Sequence, residues 1–335
     1  MRDHPTLKYG EHPGLRFACL LDGRGGCRDI GWPEIEAWKP DDGVLWVHLE
    51  RDDPTAQAWL RQRSGVDRFA VDALLAEESR PRVEDWDDAL LAVLRGVNRA
   101  GEDEQLLDLV PLHIWADSRR VITLRDKDHY LLALRDTREK LMNGKGASRA
   151  GALFARIAER LIRYLEPVID EFESRADDLD ETLLQNTSAE CRAGLSDLRR
   201  RVINLRRYLA PQRDALYRLQ AEDASWLTKS DRTRLRETTD RLLRLVESMD
   251  AVRDRTTLLH DDLAAQIAEE HSRTSNRLTT IAAVLLPPSL FAGLLGSNVE
   301  GIPFKDNPWA FGFVCLVVLA LFPLEIWLLR KIKWF

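Results

Sequence analysis

The residue types with the most chemical capacity lie in the last quarter of this 335-residue chain. The stretch HDDLAAQIAEEHSRTSN, residues 260–276, holds two histidines and four carboxylates. Imidazole and carboxylate together suit zinc and related divalent cations. His260 and His271 are 11 residues apart, three helical turns, which puts them near one helix face. No i, i+4 histidine pair points at one ion, and the same residues also fit a solvated helix surface. Asp261 is the better candidate for holding a cation, and His271 for titrating near neutral pH.

A second candidate is GLLGSNVEGIPF, residues 293–304, set between two apolar runs. Gly296, Ser297 and Asn298 fit a helix C-terminus, where Gly and Asn are common caps, and Gly296 lets the chain turn there. The Asn298 amide oxygen can also accept hydrogen bonds from the water shell of a cation. Glu300 adds a negative charge that concentrates cations, or is simply a solvated loop residue. A third pattern comes from stepping 3 and 4 from Asp261: Ala264, Ala268, His271, Ser275, Leu278, Ala282, Leu285 and Ser289. This stripe is small and mildly polar, unlike the Leu/Ile/Val seam of a tight coiled coil. Around a symmetry axis small side chains leave a hole; between two helices they allow close packing. Both readings stay open.

Other chemistries find no support. The segment DGRGGCRD, residues 22–29, has three glycines without the spacing of a phosphate loop and reads as a turn. No nucleophile–base pair is apparent, so an enzyme is not expected, nor a permanently bound cofactor. Cys19, Cys27, Cys191 and Cys315 form no CxxC pair, which supports neither a closed zinc site nor a disulfide framework. A net charge of −6 argues against a nucleic-acid partner.

The elements that must position these residues change character near residue 278. Leu278 to Ser297 is 20 residues without a charge, roughly 30 Å as a helix, the thickness of a hydrocarbon core. Pro308 to Leu324 is a second uncharged run, with Glu325 placed near an interface. A buried hairpin of a soluble protein is the weaker alternative to two membrane spans. Arg273 and Arg277 precede the first span, and Arg330, Lys331 and Lys333 follow the second. By the positive-inside rule both termini are cytoplasmic and the loop with Asn298 faces outward. Trp309 marks the outer interface, Trp327 and Trp334 the inner one. MRDHPTLKYGEHPG has no apolar signal-peptide core, so the chain is expected to start in the cytosol. Ser289 would then sit in lipid and need a partner or water.

Residues 1 to about 150 read as mixed α/β. LRFACLLD, GVLWVHLE, ALLAVLRGVN, LVPLHIWAD and RRVITLRD have strand character. PTAQAWLRQRSG and RFAVDALLAEE have helical spacing. A sheet with helices packed against it is the simplest arrangement. From about Ala150 the chain is helical: one helix over 151–186, a second over 189–224 containing Pro211, and a third from TKSDRTRLRE with no stop before Pro287. NTSAE caps the second helix through Thr187 or Ser188. Residues 166–181 hold eight carboxylates and one Arg, a surface that attracts cations or is merely solvated. The third helix runs close to 60 residues, is too polar to stand alone, and needs partner helices. Pro287–Pro288 is expected to kink it.

A terminal two-span hairpin, a Gly-x-Asn ending the first span and a long helix feeding it resemble the CorA superfamily of divalent-cation transporters. LPPSLFAGLLGSNVEGIPF, the following Trp-x-Phe-Gly-Phe and the terminal Lys-Trp-Phe look like its ZntB-type zinc transporters. LLAVLRGVN, RRVITLR and APQRDAL resemble the same pattern upstream. Ser297 and Glu300 depart from it and bear on metal selectivity. The resemblance implies a homopentamer in the cytoplasmic (inner) membrane. An α+β cytosolic domain (an α/β/α funnel) covers 1–150. Helices cover 151–277, including the stalk of the pore helix. The first span is 278–297, the external loop 298–307, the second span 308–329 and the basic tail 330–335. It also implies a ring of amides from Asn298 at the outer mouth, a pore lined by the stripe, and metal sites at Asn298, Asp261 and His271. The cargo would be a hydrated divalent cation, zinc first, with magnesium, cobalt or nickel as the alternative. A membrane-anchored helical scaffold or sensor is the rival from another class.

Overall fold

The computed structural model describes residues 13–77, 80–98, 109–185, 189–221, 224–296 and 308–331. The chain divides into two compact units, Met1–Leu259 and His260–Phe335.

The first unit opens with β1 (Leu15–Leu21), β2 (Cys27–Ile30), α1 (Trp32–Ala37), β3 (Leu45–Glu50), α2 (Pro54–Gln62) and α3 (Arg68–Leu75). Strands β4 (Arg82–Trp86), β5 (Ala89–Val97), β6 (Leu109–Asp117) and β7 (Arg120–Arg125) follow. Then come helices α4 (Leu132–Met142), α5 (Ala150–Arg163), α6 (Glu166–Gln185) and α7 (Ala189–Ala221), and the start of α8 (Lys229–Leu295).

The strands form one sheet in the order β2-β1-β3-β7-β6-β5-β4. All described neighbours are antiparallel except β3 and β7, which are parallel. Side chains alternate between the two faces of a strand. Leu90, Ala92 and Leu94 of β5 therefore join the core under α4–α8, while Ala89, Leu91 and Val93 join the one under α1–α3. Every residue of β5 is buried, and a strand covered on both faces in this way is apolar along most of its length. Pro111 is tolerated in β6 because the ladder to β7 begins only at His113.

The seam between β3 and β7 carries a polar network. The Trp46 indole N–H donates to Thr123 Oγ1 (3.1 Å), and Thr123 Oγ1 donates to the Val47 carbonyl (3.2 Å). Arg125 Nε donates to His48 Nε2 (3.2 Å). His48 is thus a neutral imidazole whose Nδ1–H faces Thr123 Oγ1 (3.0 Å). Arg51 and Asp126 pair at 2.6 Å at the strand ends.

Helix α7 completes the ladder of β5. Strand β4 ends its pairing at Val93, so Arg95 lacks a strand partner on that side. The fully buried Gln212 takes its place: the Arg95 N–H donates to Gln212 Oε1 (2.6 Å), and Gln212 Nε2 donates to the Arg95 carbonyl (3.0 Å). Gly96, next along β5, allows the close approach of α5, since a Cβ there would lie 2.5 Å from the Leu161 side chain. Gln212→Leu should lower unfolding stability by about 2–4 kcal/mol by stranding both Arg95 backbone groups. The urea midpoint of the full chain in detergent measures this, and an unchanged midpoint would remove Gln212 from the ladder.

The expected strands, and helices at α2 and α3, are present. Elements β2, β4, α1 and α4 are additional. The glycine segment at 22–29 is a turn as far as Gly26, where the Asp22 carboxylate accepts the N–H groups of Arg24 and Gly26, and β2 begins at Cys27. The single helix expected over 151–186 is instead α5 and α6, broken at Tyr164–Leu165. Pro167 sits at the start of α6, where its missing N–H is harmless; inside a continuous helix it would have broken the ladder. Packing runs through residue 150 without a gap, since one core joins β5 and β6 to α5–α8. Helix α8 starts where TKSDRTRLRE placed it, with Thr228 and Asp231 accepting each other's backbone N–H groups. It is 67 residues long and runs through Pro287–Pro288. Thr187 and Ser188 lie outside the described residues.

Burial holds two histidines neutral. Desolvation, helped by Arg125, keeps His48 well below the usual imidazole range. Desolvation, with Arg51 and Arg82 nearby, lowers His113 to about 4. Such groups contribute fully above the unfolded value of about 6.5, and the contribution is lost as pH falls through 6.5 toward the folded value. For His113 this amounts to about 3 kcal/mol between pH 6.5 and 4. His113→Leu should flatten that acid limb when unfolding is followed from pH 7 to 4. A limb as steep as the parent's would rule His113 out as its source.

Candidate cation conduit

Helix α8 changes environment along its length. Leu235, Leu242, Val246, Met249, Val252 and Leu259 are buried at helical spacing in the first unit. From Ala264 through Thr279 every side chain except Gln266 and Ile267 is exposed. The acidic helix α6 is partly neutralised: Arg255 pairs with Asp180 (2.6 Å) and with Asp177, and Arg241 with Glu166 (3.2 Å).

In the second unit, two helical stretches are long and apolar enough to cross a membrane: the end of α8, and Phe311–Lys331 within α9 (Ala310–Lys331). Leu278, Leu286 and Leu290 on α8, and Phe311, Phe313 and Leu319 on α9, lie mostly exposed. So much apolar surface asks for lipid or further helices as cover.

Asp261, Ala264, Ala268, His271, Ser275, Leu278, Ala282, Leu285 and Ser289 are all exposed along α8, whereas Ala283 is half-buried. Exposure is shared by their neighbours up to Thr279, so chemistry rather than burial sets the stripe apart there. Ser289 finds a partner on its own helix, donating to the Leu285 carbonyl (2.6 Å). His260 lies beside Asp261 at 4.0 Å, and His271 is about 16 Å further along the axis. Among the described residues no three His, Cys, Asp or Glu side chains converge on one ion. A cation held at Asp261 or His271 would need ligands from other copies or from water.

Gly296 closes the last turn of α8, its N–H donating to the Ala292 carbonyl (2.9 Å). A Cβ there would stand 3.0 Å from that same oxygen, which favours glycine. Ser297, Asn298, Glu300 and Trp334 lie outside the described residues. A side chain left out of the sequence-based site is Glu325 on α9, whose Oε2 is buried without a hydrogen-bond partner among the described residues. Its signal was a lone carboxylate in an apolar helix.

The CorA-like Mg2+ transporter protein family matches residues 41–331. The divalent cation transporter CmaX of Pseudomonas aeruginosa is 37% identical over 334 residues, 98% of this chain and 99% of that protein. The zinc transport protein ZntB of Pectobacterium carotovorum is 33% identical over 328 residues, 97% of each chain. A solved structure of full-length CmaX superposes with a TM-score of 0.82 at 34% identity, covering 98% of this chain and 100% of that one. An α+β unit carrying long helices and two apolar segments is thus the architecture of a membrane transporter. The chain belongs to the CorA-like Mg2+ transporter family.

Proposed function

We propose that this protein is a divalent-cation transporter of the bacterial inner membrane that moves zinc, as a hydrated ion, along a central path lined by α8. The observation that carries this reading is the end of α8: a membrane-length apolar stretch whose exposed stripe carries Ala282 and Ser289 alongside Leu278 and Leu285. The functional unit is a homopentamer with both termini cytoplasmic. Its parts are a cytosolic α/β domain (1–150), a helical region (151–277), spans at 278–297 and 308–329, an outer loop at 298–307 and a basic tail at 330–335. Gly296, Ser297 and Asn298 form the outer mouth, with Glu300 beside it. Asp261 and His271 are cation positions on the cytosolic part of the path.

Zinc is favoured by the ZntB relative, whose name states that cargo. Magnesium is the second reading, favoured by the family description. Purified protein in liposomes, offered zinc, magnesium or nickel with and without a pH gradient, tests both. Zinc entry that exceeds magnesium entry is expected. Magnesium entry alone would replace zinc as the cargo, and a tight vesicle with no metal entry would favour a membrane-anchored scaffold or sensor.

A further inference from the structure

Two sulfurs meet at the edge of the sheet in the first unit, and a third stands on the same face. Cys27 Sγ is 3.6 Å from Met142 Sδ, and Cys19 Sγ donates to Asp29 Oδ1 (3.5 Å). Their placement follows from the secondary structure. Cys27 and Asp29 are two apart on β2 and share a face; Cys19 of β1 stands opposite Asp29. Arg138 and Met142 are four apart on α4 and share the face turned to β2. Arg138 donates to both Asp29 oxygens (2.5 and 3.3 Å). A backbone contact pins the frame, the Gly146 N–H donating to the Gly25 carbonyl at 2.7 Å.

We propose that Cys19, Cys27 and Met142 form a binding site for one soft cation, Cu(I). Thiolate and thioether donors together select Cu(I). Sulfurs about 2.3 Å from one metal stand about 3.8–4.0 Å apart, close to the 3.6 Å already present between Cys27 and Met142. Half-buried Cys27 and exposed Met142 provide the entry, while Cys19 is fully buried. A disulfide fits less well. The cysteines are diagonal neighbours, with Cα atoms about 7–8 Å apart, wider than the roughly 4.4–6.8 Å a disulfide spans. The site shares no residue with the proposed transport path and does not depend on which cation is carried.

The test uses the reduced full chain in mild detergent under argon, titrated with Cu(I) against the competing chelator bicinchoninate. One Cu(I) per chain is expected, with a sulfur-only first shell by X-ray absorption. Met142→Leu should weaken binding about tenfold and Cys27→Ser at least about a hundredfold, beyond what a supporting residue gives. Cys191→Ser and Cys315→Ser should leave it unchanged. Parent affinity retained in both Cys27→Ser and Met142→Leu would overturn the site. So would failure of the parent chain to compete with the chelator, or uptake of Zn2+ in preference to Cu(I). Because Met142 is exposed and leucine has similar volume, the Met142 arm stays informative even if a cysteine variant folds poorly.

Discussion

Replacing Ala282 by Phe should stop cation entry into vesicles and leave the oligomer intact. Ala282 is small, exposed and deep in the apolar end of α8. If the stripe faces the axis of a pentamer, five aromatic rings close a narrow path by sterics and by excluding water. Ala283 is the control. It is rotated about 100° from Ala282 and is half-buried even within one chain, so Ala283→Phe should disturb packing more than passage. Zinc entry should fall at least about tenfold more in the first variant than in the second, with assembly checked for each by light scattering. The reverse order, or loss of assembly in Ala282→Phe with normal assembly in Ala283→Phe, would show that the stripe is a packing face.

Asn298→Ala should cut zinc entry at least about tenfold, because a hydrogen bond to a charged partner contributes about 1.5–3 kcal/mol and about 1.4 kcal/mol is tenfold. An amide oxygen there would accept hydrogen bonds from the ion's water shell without stripping it. Asn298→Asp should not restore flux, since a ring of fixed charges holds a divalent ion and slows its release. Normal zinc entry in the alanine variant would reject Asn298 as the selectivity residue.

The parts of the fold that were legible in the sequence are those with a strong apolar period. LLAVL and HIWAD announce strands because the sheet is covered on both faces at β5 and β6. Strand β4, with sequence RVEDW, was missed because it is an edge strand whose side chains stay partly exposed, so alternation is diluted by charge. Strand β2 is an edge strand of only four residues. The break at Tyr164–Leu165 was hidden because Pro167 falls in a first turn, where it leaves the helical period of both neighbours unchanged. Gln212 looked like an ordinary polar residue of a helix; its role depends on β4 ending two residues early. That Cys19 and Cys27 share a face likewise depends on hairpin register, which spacing alone does not reveal. The stripe on α8 was readable because helix period is local, whereas the copies it would face belong to the assembly.

The parallel seam also sets the kinetics of folding. On one side of it β2-β1-β3, and on the other β4-β5-β6-β7, are runs of antiparallel neighbours close in sequence, each able to form early. Joining them brings His48 to Thr123 across 75 residues, a loop closure that costs about 4 kcal/mol of chain entropy apart from a constant. That step is the slow one in a sheet of this topology. The Trp46–Thr123–His48 network and the Arg51–Asp126 pair are realised only when it completes. Until then β3 and β7 each present an open edge, the kind of unpaired edge on which another chain can template. The speed with which Thr123 reaches its partners therefore sets how long that edge stays open to other copies.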